Sequence, residues 1–344
     1  ALPDFSSRKG EPTGALYGLT SMLLSLVKDL KPDYIVAAYD RAEPTYRHEA
    51  FEAYKAKRPE IEKDLIAQLE RSRELLGTFG IPIYDKAGYE ADDIIGTIVE
   101  KTKSDKNLKV VIASGDMDTM QLVEGSRVAV YTLKKGIKET TTYDEKAVTE
   151  RFGFKPELLA DFKGLRGDPS DNIVGIAGIG EKTATALITT FGSIENLYEE
   201  LAKGEEKFKK AGLTPRLINL LKEGEDEARF SKELATINRH VPIVFAVPKK
   251  KWEEGVEVAN VLTLFDELSF RTLSDRVRAT FGVSAESEGA EEEIQVDESS
   301  LECKEAQVAL WLIDSDTTNP KLDDIFSRTK TETLEKAREK LFAE

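Results

Sequence analysis

The chain has 344 residues, a length typical of about two or three domains, and 40% of them are hydrophobic, enough for a sizeable core. One cysteine, Cys303, excludes an internal disulfide, and with only two histidines a tetrahedral zinc site is not expected. Any metal should therefore be a hard cation bound by oxygen. No apolar run approaches the length of a membrane span, and a lone thiol fits a reducing compartment, so we expect a cytoplasmic protein without a membrane partner.

The formal net charge of −15 argues at first against a nucleic-acid partner. The charge is uneven, however, because residues 286–305 carry nine acids and one base and so contribute −8 of the total. Other acids cluster in apolar-flanked motifs, where a bound cation would offset them. Global charge is thus a weak guide, and the acidic segment 284–300 is interpreted as a linker.

The first half of the chain alternates helical and extended patterns. Apolar residues recur at helical spacing over 16–30, 62–79 and 90–102, and short apolar runs between and after them are typical of buried strands. The predicted strands are Tyr34–Tyr39, Ile81–Tyr84, Val110–Ala113 and Val128–Leu133. Strands that alternate with helices indicate an α/β fold with a parallel sheet.

From about residue 155 the pattern becomes helical, with short glycine-rich turns, until a strand-like run at Pro242–Val247. Beyond the acidic linker, Val308–Ile313 is predicted to be a strand and residues 331–342 a helix. About forty residues are too few for an independent domain, so we expect this end to be the start of a larger one.

Four short segments concentrate the acids best suited to bind a metal. One acid ends the YIVAAY strand, GYEADD opens the 90–102 helix, SGDMD follows the VVIA strand, and RGDPSDN follows a predicted helix. Ligands bind at the carboxyl ends of parallel strands, so acids that follow strands should converge there. The candidate ligands are Asp40, Glu90, Asp92, Asp93, Asp116, Asp118, Asp168 and Asp171.

Such carboxylates cannot all remain ionised within a few ångströms unless a cation compensates them. Two Mg²⁺ ions, roughly 3.5–4 Å apart, would do so and would position water against a phosphodiester. Each segment alone also fits a plainer role, since acids favour the first turn of a helix and solvated turns. Asp116 and Asp118 also fit an aspartyl-phosphate phosphatase with Asp116 as nucleophile, although this leaves the other acids unexplained.

A glycine-rich turn at 173–184, IVGIAGIGEKTA, precedes a helix that begins at about Glu181. Glycines let the backbone come close to a ligand, and amides at a helix N-terminus bind phosphate oxygens without reading bases. A tight turn between packed helices is the alternative, and the Walker A pattern GxxxxGK[ST] is absent. The candidate DNA-binding residues here are Gly175, Gly178, Gly180, Lys182 and Thr183.

Residues 41–58, RAEPTYRHEAFEAYKAKR, interleave basic and aromatic side chains directly after Asp40. Basic groups neutralise phosphates and aromatic rings stack on unpaired bases, so this segment could clamp a single strand. The alternative is a solvated amphipathic helix.

In this order and spacing, RAEPTYRHEAFEAYKAKRP, GYEADDIIGTI, SGDMDTMQLV and FKGLRGDPSDNIVGIAGIGEKTA resemble the 5′-nuclease (flap endonuclease) domain of bacterial DNA polymerase I, over about residues 1–280. The resemblance implies an α/β fold whose twisted parallel sheet carries a helical arch, followed by a helix–three-turn–helix DNA-binding subdomain. The implied divisions are a metal-binding nuclease domain with its arch at about 41–73, the helical subdomain, the acidic linker, and the start of a 3′–5′ exonuclease-like domain, to which VALWLIDSDTTNP is similar. They cover residues 1–155, 156–283, 284–304 and 305–344.

Carried over by motif, the eight acids would be the metal ligands, with two Mg²⁺ ions as cofactor, Mn²⁺ as a substitute, and K⁺ at the glycine turn. The arch residues expected to contact the scissile strand are Tyr46, Arg47, Lys55 and Arg58. The implied activity is two-metal 5′→3′ exonuclease and flap endonuclease cleavage in primer removal and DNA repair. The implied substrates are branched or 5′-flap DNA and RNA–DNA primer junctions. The implied setting is the bacterial cytoplasm, in a monomer covalently linked to a polymerase domain.

The family opens with a strand that carries an Asp-Gly-Asn-type motif, whose aspartate is a metal ligand. This sequence instead begins ALPDFSSRKGEPTGALYG. We therefore expect a ninth ligand to be missing and the chain to be impaired as a nuclease, which leaves a non-catalytic module that binds branched DNA as the alternative function.

Overall fold

The computed structural model describes residues 5–135, 139–283, 300–313, 322–329, 331 and 334–343. The strands in these ranges are β1 (Ala37–Ala38), β2 (Ile83–Tyr84), β3 (Val110–Ala113), β4 (Val128–Lys135) and β5 (Glu139–Tyr143). The helices are α1 (Gly14–Leu30), α2 (Tyr46–Ala50), α3 (Lys63–Thr78), α4 (Ala91–Lys101), α5 (Glu145–Phe152), α6 (Leu159–Arg166), α7 (Glu181–Phe191), α8 (Ile194–Lys203), α9 (Glu206–Lys210), α10 (Pro215–Glu223), α11 (Glu225–Ala235), α12 (Val258–Glu267), α13 (Arg271–Phe281), α14 (Leu301–Ile313), α15 (Leu322–Thr329) and α16 (Leu334–Leu341).

The chain forms two compact units. The larger unit comprises Pro32–Ile66 and Phe79–Val256, and the smaller comprises Ala1–Lys31, Ala67–Thr78 and Glu257–Glu344. All the strands and all the candidate site residues belong to the larger unit. Apart from Ser300, the predicted acidic linker at 284–300 lies outside the described residues.

The strands of the larger unit form two small sheets. β1 and β2 are parallel, with Ala37 opposite Ile83, and β3 and β4 are parallel, with Val110 opposite Val128. The predicted α/β class is therefore confirmed. β5 adds an antiparallel strand to β4 that the sequence pattern does not reveal, because its ETTTY sequence lacks an apolar run.

The predicted helices at 16–30, 62–79 and 90–102 are confirmed, as are the strands at Val110–Ala113 and Val128–Leu133. Of the predicted strand Tyr34–Tyr39, only Ala37–Ala38 forms a ladder. The predicted helix at 331–342 is confirmed over α16.

The predicted strand Val308–Ile313 is wrong, because this run is the second half of α14. Ser300 caps the helix, since its hydroxyl accepts a hydrogen bond from the Cys303 N–H at 3.2 Å. The buried positions 303, 306 and 310 recur at helical spacing, whereas the Val308 side chain points away from them and is 55% exposed. The run looks continuous in the sequence because buried and exposed apolar residues of one helix follow each other there.

The predicted strand Pro242–Val247 is also wrong, because this segment pairs with no strand among the described residues. Pro242 has no N–H to donate, and Val244 is 96% exposed. Ile243 and Phe245 nevertheless pack against the core that Ile94 and Ile98 of α4 form. The apolar residues therefore alternate because they pack on α4, and not because the segment is a strand of a sheet.

One hydrophobic core runs through the larger unit. It joins Ile112 and Val130 of the β3–β4 sheet to Leu165 of α6, Leu187 of α7 and Leu221 of α10. Because the sheet and these helices share buried side chains, the loops that follow β3 and α6 are held on one packed body. In the smaller unit, Phe5 stacks on Tyr17 with a ring separation of 4.8 Å, and α1 packs on α13.

None of the helices in the described ranges combines the length and the apolar character needed to cross a membrane.

Two helical glycines, Gly96 and Gly77, test how closely α4 packs against Ile237 and Asn238. A Cβ at Gly96 of α4 would lie 2.6 Å from the Ile237 Cγ2 and 3.1 Å from the Asn238 carbonyl oxygen, whereas a Cβ at Gly77 of α3 would meet no atom within 4 Å. Gly96→Ala should therefore lower the free energy of unfolding by about 1–3 kcal/mol. Gly77→Ala should raise it by roughly 0.5–1 kcal/mol. Denaturant unfolding followed by circular dichroism measures both, and equal stabilisation by the two changes would contradict the close contact.

Candidate active site

Asp40 connects the β1–β2 sheet to the start of α4. It lies two residues beyond β1, and its Oδ1 accepts a hydrogen bond from the Ala91 N–H at 2.7 Å. The first N–H groups of a helix have no partner within the helix and favour a negative group. This contact brings Asp40 next to the GYEADD turn, as expected for acids at the carboxyl edge of parallel strands.

Asp92, in the first turn of α4, lies where acids from three chain segments meet. It makes no hydrogen bond or ion pair with any residue that the structure describes. Burial and the negative charges of four acids raise the pKa of Asp92 to about 7; these acids are Asp116, Asp118, Asp40 and Glu90. These carboxylates repel one another, and no basic side chain is paired with Asp92 among the described residues. Such a group of oxygen ligands fits a hard divalent cation.

Asp116 and Asp118 lie on the short 3₁₀ helix Met117–Leu122 that follows β3. Asp116 caps this helix, since its Oδ1 accepts a hydrogen bond from the Asp118 N–H at 2.9 Å. The side chain of Asp116 is exposed, while that of Asp118 is partly covered. The cap fixes both carboxylates at the end of β3.

Lys163 of α6 is 9% exposed and its ammonium group donates to both Asp118 and Asp168. Burial alone would lower the pKa of Lys163, but these two carboxylates outweigh burial and raise it. Lys163 in turn holds the pKa of Asp168 below its usual value against the opposing effect of burial. Lys163 is not among the residues predicted from the sequence, and its only signal there is a lysine within the apolar LADFKGLR helix, five residues before Asp168.

The segment 54–58 of the predicted arch bridges Glu90 and Asp171. Lys55 Nζ lies 2.6 Å from Glu90 Oε1, and Arg58 Nη2 lies 2.6 Å from Asp171 Oδ1. The Tyr54 hydroxyl lies 3.2 Å from a carboxylate oxygen of each acid, and its pKa is raised by burial and by their charges. Lys55 and Arg58 therefore lie beside two of the predicted ligands, and their contact with the scissile strand stays a prediction.

Arg47 and Asp93 do not lie where the sequence predicts. Arg47 is 3% exposed and Asp93 is 0% exposed, and the two form a buried ion pair at 2.8 Å. Arg47 is thus not on an open surface of the arch. Its Nη1 also lies 3.4 Å from Glu90 Oε2, so Asp93 and Glu90 share this nitrogen. Tyr46 is half-buried beside Tyr89, with the Arg47 guanidinium 4.6 Å from its ring centre.

The glycine turn divides into a packed part and an open part. Gly175 is buried, its N–H donates to the Ser231 hydroxyl at 3.0 Å, and a Cβ there would lie 2.1 Å from the Gly167 nitrogen. Its amide is therefore taken, and it serves to let two backbones approach rather than to bind DNA as expected. Gly178, with φ +92°, and Gly180, the N-cap of α7, are both exposed.

Beyond the glycines, Lys182 is exposed and Thr183 is half-buried in the first turn of α7. Together with Gly178 and Gly180, they present the amides and the positive charge that a phosphate group would meet.

Within the described ranges, no group of three or more His, Cys, Asp or Glu side chains is drawn together tightly enough to hold a metal ion. Basic side chains stand between several of the predicted ligands instead. Lys163 separates Asp118 from Asp168, and Lys55 lies between Glu90 and Asp171, 2.6 Å and 3.8 Å from their carboxylate oxygens. The protein itself thus offsets part of the negative charge.

Two family models match consecutive parts of the chain. The 5′-3′ exonuclease N-terminal resolvase-like domain matches residues 1–153, and the 5′-3′ exonuclease C-terminal SAM fold matches residues 154–256. The chain belongs to the 5′-3′ exonuclease family.

Curated proteins that are similar in sequence to this chain are DNA polymerases I. That of Bacillus caldotenax is 37% identical over 281 residues, which cover 81% of this chain and 31% of that protein. That of Bacillus subtilis (strain 168) is 38% identical over 277 residues, 80% of this chain and 30% of that protein. The chain therefore spans about a third of the length of the relatives it matches.

Solved structures show the same fold. A T5 5′-exonuclease with bound zinc ions has a TM-score of 0.54 at 20% identity, over 79% of this chain and 91% of that one. A bacteriophage T5 flap endonuclease in a pseudo-enzyme–product complex with DNA and metal ions has a TM-score of 0.52 at 18% identity, over 77% and 89%. The resolvase-like α/β part and the helical part that follows it are thus established as the architecture of this chain.

The environment of Asp92 predicts a gain in stability when its charge is removed. Burial and the neighbouring acids raise its pKa from 3.8 to about 7, so the folded state loses stability as pH rises between these two values, and the full loss is present at pH 8. Asp92→Asn should therefore raise the melting temperature at pH 8, without divalent cations, by roughly 2–6 °C.

Asp275→Asn, a change of an exposed acid within α13, is the matched control and should leave the melting temperature nearly unchanged. Differential scanning calorimetry in EDTA measures both. A lower melting temperature for Asp92→Asn would show that Asp92 is not under the repulsion that the structure indicates.

Proposed function

We propose that the chain acts as a structure-specific 5′→3′ exonuclease and flap endonuclease, the nuclease part of a DNA polymerase I. The observation that carries this proposal is the convergence of acids on Asp92 at the carboxyl edge of the strands, in a chain of the 5′-3′ exonuclease family. The proposed substrates are 5′-flap or branched DNA and RNA–DNA primer junctions, and the proposed role is primer removal and repair in the bacterial cytoplasm by a monomer.

Divalent cations are the proposed cofactor, with Mg²⁺ as the natural ion and Mn²⁺ as a substitute, because the acids supply only hard oxygen ligands. The residues that would hold two such ions are Asp40, Glu90, Asp92, Asp116, Asp118, Asp168 and Asp171. The chemistry that such ions supply is an activated water and neutralisation of charge on the attacking and leaving oxygens.

In this proposal the basic side chains at the site also bind the DNA backbone. Lys55 and Arg58, with 20% and 51% of their side chains exposed, lie on the open side of Glu90 and Asp171. Both are long and flexible enough to turn from a carboxylate to a phosphate of the scissile strand once the acids have another counter-charge. Tyr54 is buried, and its hydroxyl lies 3.2 Å from an oxygen of both Glu90 and Asp171. It would keep these two carboxylates in place while Lys55 and Arg58 turn to the phosphate.

The open part of the glycine turn is the proposed contact with duplex DNA. Gly178 and Gly180 expose backbone at the N-terminus of α7, with Lys182 and Thr183 beside it. This arrangement favours phosphate oxygens over base edges, which suits an enzyme that recognises junction shape rather than sequence. K⁺ is proposed at the same turn, where carbonyl oxygens would hold it.

A non-catalytic module that binds branched DNA is the second candidate. The observation in its favour is Lys163, which occupies the space between Asp118 and Asp168. If Lys163 stays there, the protein would bind junctions through the glycine turn and the basic arch residues without cutting them.

Cleavage of a 5′-flap duplex in Mg²⁺ decides between these functions. The unchanged chain should cut the duplex near the junction, and Asp116→Ala should reduce the single-turnover rate by roughly 10²–10³-fold or more, because it removes an exposed carboxylate of the set. Flap affinity, measured by fluorescence anisotropy in Ca²⁺, should stay within about threefold of that of the unchanged chain.

Salt-sensitive binding without cleavage in Mg²⁺ or Mn²⁺ would select the binding module. Cleavage by Asp116→Ala at the unchanged rate would remove Asp116 from the site.

The glycine-turn contact predicts a specific loss of phosphate binding. Lys182→Ala should weaken duplex binding equally for different sequences and reduce the slope of log K against log salt by about one. Lys146→Ala on α5, whose side chain is 83% exposed, is the control and should change neither quantity. If the two variants bind alike, α7 does not contact the DNA backbone.

A further inference from the structure

Arg47 and Asp93 form a two-pronged ion pair in the interior of the larger unit. Arg47 Nη1 donates to Asp93 Oδ2 and Nη2 donates to Asp93 Oδ1, both at 2.8 Å. Two parallel charge-assisted hydrogen bonds fix the relative orientation of both groups as well as their distance. The pair therefore joins α2 to α4 rigidly.

The remaining acceptor positions of Asp93 are also occupied. Its Oδ1 accepts from the Asn238 N–H at 2.8 Å, and its Oδ2 accepts from the Glu90 N–H at 3.2 Å. With the two bonds from Arg47, each oxygen accepts two hydrogen bonds, which fills the roughly four lone-pair positions of a carboxylate. No position is left for a metal ion unless one of these bonds breaks.

The guanidinium of Arg47 is likewise saturated by the protein. Its Nε donates to the Leu234 carbonyl at 2.9 Å, its Nη2 donates to the Thr236 carbonyl at 2.8 Å, and its Nη1 also reaches Glu90 Oε2 at 3.4 Å. With the two bonds to Asp93, all five N–H groups have a partner. With 3% of its surface exposed, Arg47 has no free N–H directed to solvent where a DNA phosphate could approach. Both residues thus face inward, towards the segment 234–241.

This segment, which we call the strap (residues 234–241), lies along α4. The Val241 N–H donates to the Thr97 hydroxyl at 2.9 Å, and the Ile237 N–H donates to Gln121 Oε1 at 2.9 Å. Gly96 lets the strap lie against the helix, as its missing side chain would collide with Ile237. The strap is therefore anchored to α4 at Asp93 and Thr97 and to the 3₁₀ helix Met117–Leu122 at Gln121, and Arg47 holds it next to Asp93.

We propose that Arg47 and Asp93 are positioning residues of the nuclease site: the pair, with the strap, sets the first turn of α4 and so aims Glu90 and Asp92. This rests on the proposed function, because the aim matters only if Glu90 and Asp92 hold a cation. Asp93 bonds the N–H of Glu90, and Asp92 precedes Asp93, so a shift of Asp93 moves both neighbours. Neither Arg47 nor Asp93 touches DNA or metal in this arrangement.

A double-mutant cycle on the full chain tests this inference. The variants are Arg47→Gln, Asp93→Asn and the double change. The control is Arg229→Gln on α11, outside the strap, where the side chain is 42% exposed and pairs with Glu225. Asp92→Asn is the reference for loss of a ligand. Each single variant should lower the single-turnover rate on a 5′-flap duplex by roughly 10–100-fold. The double variant should lose no more than the worse single one, because both changes break the same pair. Arg229→Gln should stay within about threefold of the unchanged rate.

Metal and DNA binding distinguish positioning from direct contact. By titration calorimetry with Mn²⁺, Arg47→Gln and Asp93→Asn should keep the unchanged number of bound ions with equally weakened affinity, whereas Asp92→Asn should lose an ion. Flap affinity of Arg47→Gln in Ca²⁺ should stay within about threefold. Melting temperatures identify any variant that does not fold, in which case Arg47→Lys and Asp93→Glu replace the neutral changes, with partial loss of rate expected from each.

Three results would overturn the inference: multiplied losses in the double variant, loss of an ion in Asp93→Asn but not in Arg47→Gln, or a flap affinity at least tenfold weaker in Arg47→Gln alone. If the unchanged chain cuts no flap in either metal, the proposed function fails instead. The equal weakening of Mn²⁺ binding then still decides whether Arg47 and Asp93 act as one unit.

Discussion

Repulsion among carboxylates gathered at one edge of the strands is the constraint on which the rest of the larger unit depends. Asp92 lies among acids from the loop after β1, from the start of α4 and from the 3₁₀ helix after β3, and burial together with their negative charges raises its pKa. A fold that brings such groups together loses stability unless positive charge lies nearby. The arrangement of the basic side chains follows from this requirement, since each is paired with at least one acid of the set. They are Lys163, Lys55, Arg58 and Arg47.

These four basic residues differ in how easily they can leave their partners. Arg47 is buried and bonded on every side, so its pairing with Asp93 belongs to the fold. Lys55 and Arg58 are partly exposed and contact the acids from one side. Lys163 is nearly buried but reaches the site through a flexible chain. A divalent cation can therefore compete with Lys55, Arg58 and Lys163 for the acids. Arg47 keeps its pair with Asp93 even where a cation takes Glu90.

Sequence motifs predict well which acids gather at the site. They predict poorly which side chains turn inward, because this depends on tertiary contacts. Order and spacing are enough to predict that Asp92, Asp116 and Asp118 come together, because the ends of the strands and the start of α4 lie at one edge. They do not show that Asp93, one residue from Asp92, turns inward, since that depends on Arg47 and Asn238 at distances of 46 and 145 residues along the chain. Gly175 and Lys163 illustrate the same limit: a glycine's role depends on which backbone approaches it, and a lysine's on which acids surround it. The apolar run at Val308–Ile313 was ambiguous for a related reason, as short apolar runs fit buried strands and buried helices alike.

A crystal structure of the chain grown with Mn²⁺, with anomalous diffraction recorded at the manganese edge, would show directly whether the acids form a metal site. The account predicts two anomalous peaks, one beside Asp92 and Asp116 and one within reach of Asp168 and Asp171, with Lys163 turned away and Asp93 still paired with Arg47. Absence of any peak near Asp92 at saturating Mn²⁺, with Lys163 still between Asp118 and Asp168, would contradict it.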